Sequence, residues 1–241
     1  MKIKILTLFP DMFTAFKDES IIKRAIDKGV VEIEVVDIRD YSLDKHRHVD
    51  DTPCGGGQGM VLQVDVVDRC IKANTSSSSH IVMMTPQGRK YNQAVAEEFK
   101  KYDELVLLCG HYEGFDERIR TYVNEEVSIG DFVLTGGEIP AMVISDSVIR
   151  LLDKAIKEES HLDDSFSTGL LEYPQYTRPI EYDGMRVPDV LLSGNHKLIN
   201  RFRKKESLRR TLNRRPDLLD SYEFSKDDLK LMAEIKEDEN K

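Results

Sequence analysis

The first 155 residues alternate β-rich segments with helix-patterned ones, and this alternation limits the fold more than any other feature of the 241-residue chain. Strands separated by helix-length segments cannot close as hairpins; they need crossovers, which lay the strands side by side in parallel. Residues 2–9 are β-rich and stop at Pro10. Residues 11–28 predict a helix, with Phe13, Phe16, Ile21, Ile22 and Ile26 on a rough apolar face and Gly29 as its stop. In 30–38, Val31, Ile33 and Val35 alternate with Glu32 and Glu34, and a long polar loop follows at 40–59. Further strands are expected at 80–85, 104–109 and 126–129, with helices at 92–101 and 140–155. The serine-rich stretch at 74–79 reads as a surface connector. Together these predict an α/β domain with a mostly parallel sheet over residues 1–157.

Composition changes beyond that point. Residues 158–175 follow neither period and predict a flexible interdomain linker, and Pro179, Gly184 and Pro188 punctuate a second loop. Helical patterns return at 196–212 and 225–237, which gives a small helical C-terminal domain over 176–241. Charge is distributed just as unevenly. The formal net charge of −9 argues against a nucleic-acid partner, but residues 194–216 hold nine Lys/Arg against the single Glu206, a local +8. The asymmetry is the informative statistic, and it points to a polyanion.

Cys54, Cys70 and Cys109 show no Cys-x-x-Cys spacing, which suits reduced thiols in a cytoplasmic protein. The apolar run at 5–9 is too short for a signal peptide, and no segment approaches the roughly 18 apolar residues of a membrane span. A soluble, unexported protein is expected. His46, His48 and His111 are too scattered for a metal-ligand pattern and read as surface or structural residues. Cys109 has no recognisable paired base and reads as a buried strand-end thiol.

Four glycine-rich segments carry the candidate chemistry: 55–60, 86–90, 110–114 and 135–138. None is a Walker A loop, and none fits G-x-G-x-x-G, because the third glycine position after Gly55 and Gly57 is Met60. Glycine instead lets backbone N–H and C=O groups approach a flat ligand, and loops after the carboxyl ends of parallel strands form the crevice where open α/β sheets bind ligands. Glu113, flanked by glycine, is suited to accept from a ribose diol. The adjacent carboxylates Asp163 and Asp164 lie in the linker, a suitable place for a general base that orders when substrate binds, and Arg150, on the preceding helix, is a cationic candidate.

Taken in order, the motifs at 5–10, 55–60, 86–89, 110–114, 129–138, 164–166, 176–179 and 190–196 resemble the bacterial tRNA (guanine-N1)-methyltransferases, over nearly the full length. That resemblance implies a SPOUT-class enzyme with a deep trefoil knot, acting as a homodimer with shared active sites. It also implies methyl transfer from S-adenosyl-L-methionine to the guanosine just 3′ of the anticodon of tRNA. Three loops would clasp the methyl donor: Thr85, Pro86 and Gln87; Gly110, Tyr112, Glu113 and Gly114; and Ile129, Gly130, Asp131, Phe132, Val133, Leu134, Gly136 and Gly137. A side chain at Gly137 would then point toward the ligand. Asp164 falls on the general base and Arg150 on the residue that supports the target guanine. A magnesium ion is a further implied aid. Cys54, Gln58 and Phe132 stand where the family often has Tyr, Pro and Tyr. The basic segment, Arg209 and Arg210 included, is expected to meet tRNA phosphates. A non-catalytic RNA- or nucleotide-binding protein fits the basic segment equally well, but the three loops together with Asp164 favour the enzyme.

Overall fold

Five parallel strands make up the main sheet, as the alternation requires. A computed structural model describes residues 1–156 and 164–239 of the chain, which divides into two compact units, Met1–Lys157 and Glu158–Lys241. The first unit runs β1 (Lys2–Thr7), α1 (Thr14–Asp18), α2 (Ser20–Asp27), β2 (Glu32–Asp37), the two-residue strands β3 (Asp50–Asp51) and β4 (Val61–Leu62), and α3 (Val64–Asn74). It continues with β5 (Ser79–Lys90), α4 (Gln93–Phe99), β6 (Glu104–Leu108), β7 (Glu125–Ser128) and α5 (Glu138–Arg150). The sheet order is β2-β1-β6-β5-β7, and every pairing in it is parallel.

The strands obey a period of two, which builds a core on each face of the sheet. Ile3, Ile5, Val82, Met84, Leu105 and Leu107 pack with Phe13, Phe99, Ile144 and Val148 on one face. Leu6, Ile81, Met83, Val106 and Leu108 pack with Leu62, Val67, Ile71 and Ile119 on the other. Covering both faces is the usual requirement of a parallel sheet. The strand–helix alternation does not announce α3: Val64, Val66 and Val67 are β-branched and lower intrinsic helix propensity. Its buried residues Val66, Val67, Cys70, Ile71 and Asn74 nevertheless follow a helical spacing, and tertiary packing decides the matter.

The helix expected at 11–28 is broken. Glu19 is extended and Ser20 has a φ of +57°, so α1 and α2 are separate. At about 3.6 residues per turn, nine residues put Phe13 and Ile22 on opposite sides of one straight helix. The break lets both enter the same core.

In the second unit, a hairpin of β8 (Glu181–Tyr182) and β9 (Met185–Arg186) occupies part of the expected loop. Asp183 and Gly184 make its turn, both at positive φ, as a two-residue hairpin loop demands. Helices α6 (Asp189–Leu192), α7 (His196–Arg214) and α8 (Lys226–Glu239) follow. Leu170, Leu208, Leu231 and Ile235 form the core. Of the expected linker, 158–163 lie outside the described residues, and so does Asp163. The remaining part is packed on α7: Thr211 Oγ1 accepts from Leu171 N at 2.9 Å, Ser207 Oγ donates to the Leu171 carbonyl at 2.5 Å, and Leu170 is buried. Among the described residues, no helix is long and apolar enough to cross a membrane.

Candidate active site

A bulge within β5 and the loops after β6 and β7 enclose a cleft of about 470 Å³. Each loop has a local cause. In β5 the pairing with β7 slips between Met84 and Arg89, so Thr85, Pro86, Gln87 and Gly88 bulge out of the ladder. Pro86 has no N–H to give to a ladder, which suits it to a bulge. The loop after β6 turns at Tyr112, whose φ is +59°, and is tied back where Glu113 N donates to the Met60 carbonyl at 3.1 Å and Leu62 N to the Gly114 carbonyl at 3.0 Å. The 55–60 segment thus lies against Glu113; Gly55, Gly56, Gly57 and Gly59 all have positive φ there, a conformation glycine alone adopts freely. Farther along, Asp116 caps a turn by accepting from Arg118, and the Arg118 guanidinium brings its carboxyl down to about 2.

The third loop leaves β7 through Gly130 and re-enters at α5. Gly137 N donates to the Gly110 carbonyl at 2.8 Å, joining the second and third loops. A Cβ on Gly137 would lie 2.7 Å from Cys109 Cα and 2.9 Å from Gly110 N. This corrects the sequence-based expectation: a side chain at 137 collides with the backbone at the end of β6 instead of pointing toward the ligand. Under this junction Glu138 is buried, and its Oε1 accepts from Thr7 Oγ1 at 2.8 Å, while Thr7 Oγ1 accepts from Phe9 N at 2.9 Å. Thr7→Val removes the donor from a buried carboxylate. Urea unfolding should register a loss of about 2 kcal/mol, in the range of hydrogen bonds to charged groups; an unchanged midpoint would mean that the pair does not hold α5 to β1.

The cleft brings together Thr85, Pro86, Gln87, Gly110, Tyr112, Glu113, Gly114, Ile129, Gly130, Phe132, Val133, Leu134, Gly136 and Gly137. Asp131 stays outside its lining, with its side chain 94% exposed, 4.0 Å from Lys90 Nζ. Arg150 ends α5 and is not part of that lining. Asp164 belongs to the second unit, where its carbonyl accepts from Ser167 N at 3.2 Å.

Sequence reasoning missed several lining residues. Met83, Met84, Phe115, Val127 and Pro140 add apolar wall, and Ser128 adjoins the expected third loop, within which Thr135 lies. Glu117 and Arg120 lie on a 3₁₀ turn, and Arg120 donates to Glu117 and to Gln87, each at 2.8 Å. Their Glu-x-x-Arg spacing is the one signal the sequence offers, and it is a common one. His46 and His48 remain exposed, whereas His111 lines the cleft. Its Nδ1 is buried without a hydrogen-bond partner among the described residues. Cys109 is fully buried; burial, and after it the charge of Glu138, pushes its thiol well above the ordinary range, so it is no nucleophile. Among the described residues, no three His, Cys, Asp or Glu side chains are grouped to hold a metal ion.

An open parallel α/β sheet with a cleft outside the carboxyl ends of its strands places the first unit among the α/β folds that commonly bind ligands at that end of the sheet. More narrowly, the chain belongs to the tRNA (Guanine-1)-methyltransferase TrmD family, whose profile matches residues 1–221. It is 54% identical over 240 residues to a tRNA (guanine-N(1)-)-methyltransferase of Macrococcus caseolyticus, covering 99% of this chain and 100% of that one. A relative of the same name from Bacillus licheniformis is 54% identical over 98% of this chain and 99% of its own. One from Geobacillus kaustophilus is 57% identical over 92% and 93%.

Proposed function

We propose that the protein transfers the methyl group of S-adenosyl-L-methionine to N1 of guanosine 37 of tRNA, just 3′ of the anticodon, working in the cytoplasm as a homodimer. The observation that carries this reading is the convergence of three glycine-rich loops on one cleft of about 470 Å³. The cleft fits the donor: residues 110–114, 129, 130 and 132–134 line it, glycines keep its junctions free of Cβ atoms, and His111 brings a buried, unpaired polar atom to its wall. When bound, S-adenosylmethionine supplies a methyl group already activated by the sulfonium charge.

What remains for the protein is positioning and electrostatics. Guanine N1 carries a proton and is a poor nucleophile until that proton leaves. Asp164 takes it, and Arg150 offsets the negative charge that spreads toward O6. In the dimer, Asp164 of the partner subunit serves each cleft. The same reading includes the deep trefoil knot, a rarity among folds, and a C-terminal domain that binds tRNA through its basic helix. The described residues offer no cluster for the magnesium ion that the resemblance implies, and no step is assigned to one.

Calorimetry without RNA should detect S-adenosylmethionine binding, and methyl transfer to unmodified tRNA transcripts should map to the N1 atom of that guanine. A protein that binds tRNA but ignores the donor would be an RNA-binding module instead of an enzyme.

A further inference from the structure

Positions 201, 205, 209 and 213 lie four apart along α7 and therefore share one helix face. The acidic side of α8 meets all four. Arg201 pairs with Glu234. Lys205 Nζ lies 2.9 Å from Asp238 and 3.3 Å from Glu234, Arg209 Nη2 lies 2.9 Å from Asp238, and Asn213 Nδ2 donates to Glu239 at 2.9 Å. Three of the nine cations between 194 and 216 thus face Glu234 and Asp238, and Arg209 pairs with Glu206 as well. Others are engaged differently: Lys204 donates to Tyr222 and lies 3.6 Å from Asp228 near the start of α8, Arg210 donates to the Glu172 carbonyl, and Arg215 pairs with Asp217. Lys197 and Arg214 have no such side-chain partner among the described residues.

Helix α8 does not need these pairs to stay in place. Leu231 and Ile235 bury it against Leu208, and Ser225 and Asp228 cap its start reciprocally, at 3.0 and 3.1 Å. Its last turn, moreover, carries Glu237, Asp238 and Glu239, at the helix end where the dipole disfavours negative charge. The cations of α7 offset that cost. Steps of four residues space them by about 6 Å, so α8 offers them a regular row of anions. The helix also lies beyond residue 221, where the family profile ends.

We infer that Glu234 and Asp238 act as internal substitutes for RNA phosphates, so that tRNA must compete with them for Arg201, Lys205 and Arg209 when it docks. This rests on the tRNA-methyltransferase reading. Exchanging one anion for another gains little, so an RNA that offers charge alone is held weakly. Lys197 and Arg214 supply the first attraction, and the row opens only to an RNA held by further contacts.

The test is tRNA binding by fluorescence anisotropy across a salt series, using the full-length chain. E234Q/D238N removes the competing charges and keeps the core of α8. Its affinity for tRNA should rise about tenfold, from two surface pairs released, and the log–log salt slope should steepen by about two. E223Q/E237Q removes the same charge outside the row and should leave both quantities as in the unmodified protein. Equal binding by E234Q/D238N and the unmodified protein would make the row a structural clip and overturn the inference. An equal gain in the E223Q/E237Q control would overturn it as well, by reducing it to net charge. If the unmodified chain bound no tRNA at any salt, the underlying methyltransferase reading would fail first.

Discussion

Asp164→Asn is expected to slow methyl transfer by at least ~10²-fold, the usual contribution of a general base. Asn keeps the size of the side chain and much of its hydrogen-bonding capacity, but it cannot take the N1 proton. Donor binding should stay near normal, because the cleft is lined by loops of the first unit. Asp163→Asn is the internal control, a neighbouring carboxylate with no assigned role. Single-turnover reactions keep slow product release from masking the chemical step. Near-normal transfer by the Asp164 variant, or an equal loss in the control, would move the base elsewhere and leave the methyltransferase reading standing.

Gly137→Ala should damage the cleft through the backbone. The added Cβ would meet Cys109 Cα at 2.7 Å and Gly110 N at 2.9 Å, both main-chain atoms that cannot swing aside. The N-terminus of α5 must then move off the end of β6. Overpacking of this kind costs about 1–3 kcal/mol in thermal or urea unfolding, and donor affinity measured by calorimetry should fall about tenfold or more. Unchanged affinity would show that the junction of the second and third loops is not part of the donor site. The same variant tests the shared sites of the proposed dimer. Mixed with Asp164→Asn, it should regain part of the activity, because one cleft of each mixed dimer combines an intact Gly137 with an intact Asp164. If two impaired variants, assayed with the donor below the Kd of the Gly137 variant, gained nothing from subunit exchange, both residues would belong to one protomer's site.

What could be read from the chain followed the range of its signals. The alternation of β1, β6 and β5 across two faces is written in successive side chains; β1 and β6 emerge within two residues of their expected bounds, while β5 runs on to Lys90, beyond the bulge at 85–88. The loops at 85–87, 110–114 and 129–137 are likewise local, since Pro and Gly announce where a ladder stops. The break at Glu19–Ser20 was less legible, because it depends on Phe13 and Ile22 entering one core. Helix α3 was hidden by valines whose intrinsic preference its packing overrides. Glu117 and Arg120 came to the cleft wall with no distinctive spacing to announce them.

By itself, then, the sequence determined a parallel α/β layer, the glycine loops that close it, and a +8 segment near the C-terminus. Tertiary structure alone decided that Gly110 and Gly137 meet, that Glu138 is buried beneath them against Thr7, and that Arg201, Lys205 and Arg209 face acids from α8. The physical reason is one of distance along the chain. Periodicity and turn chemistry act between neighbours, whereas burial and charge pairing depend on which remote residues the crossovers bring within a few ångströms, and a count of charges is blind to their partners.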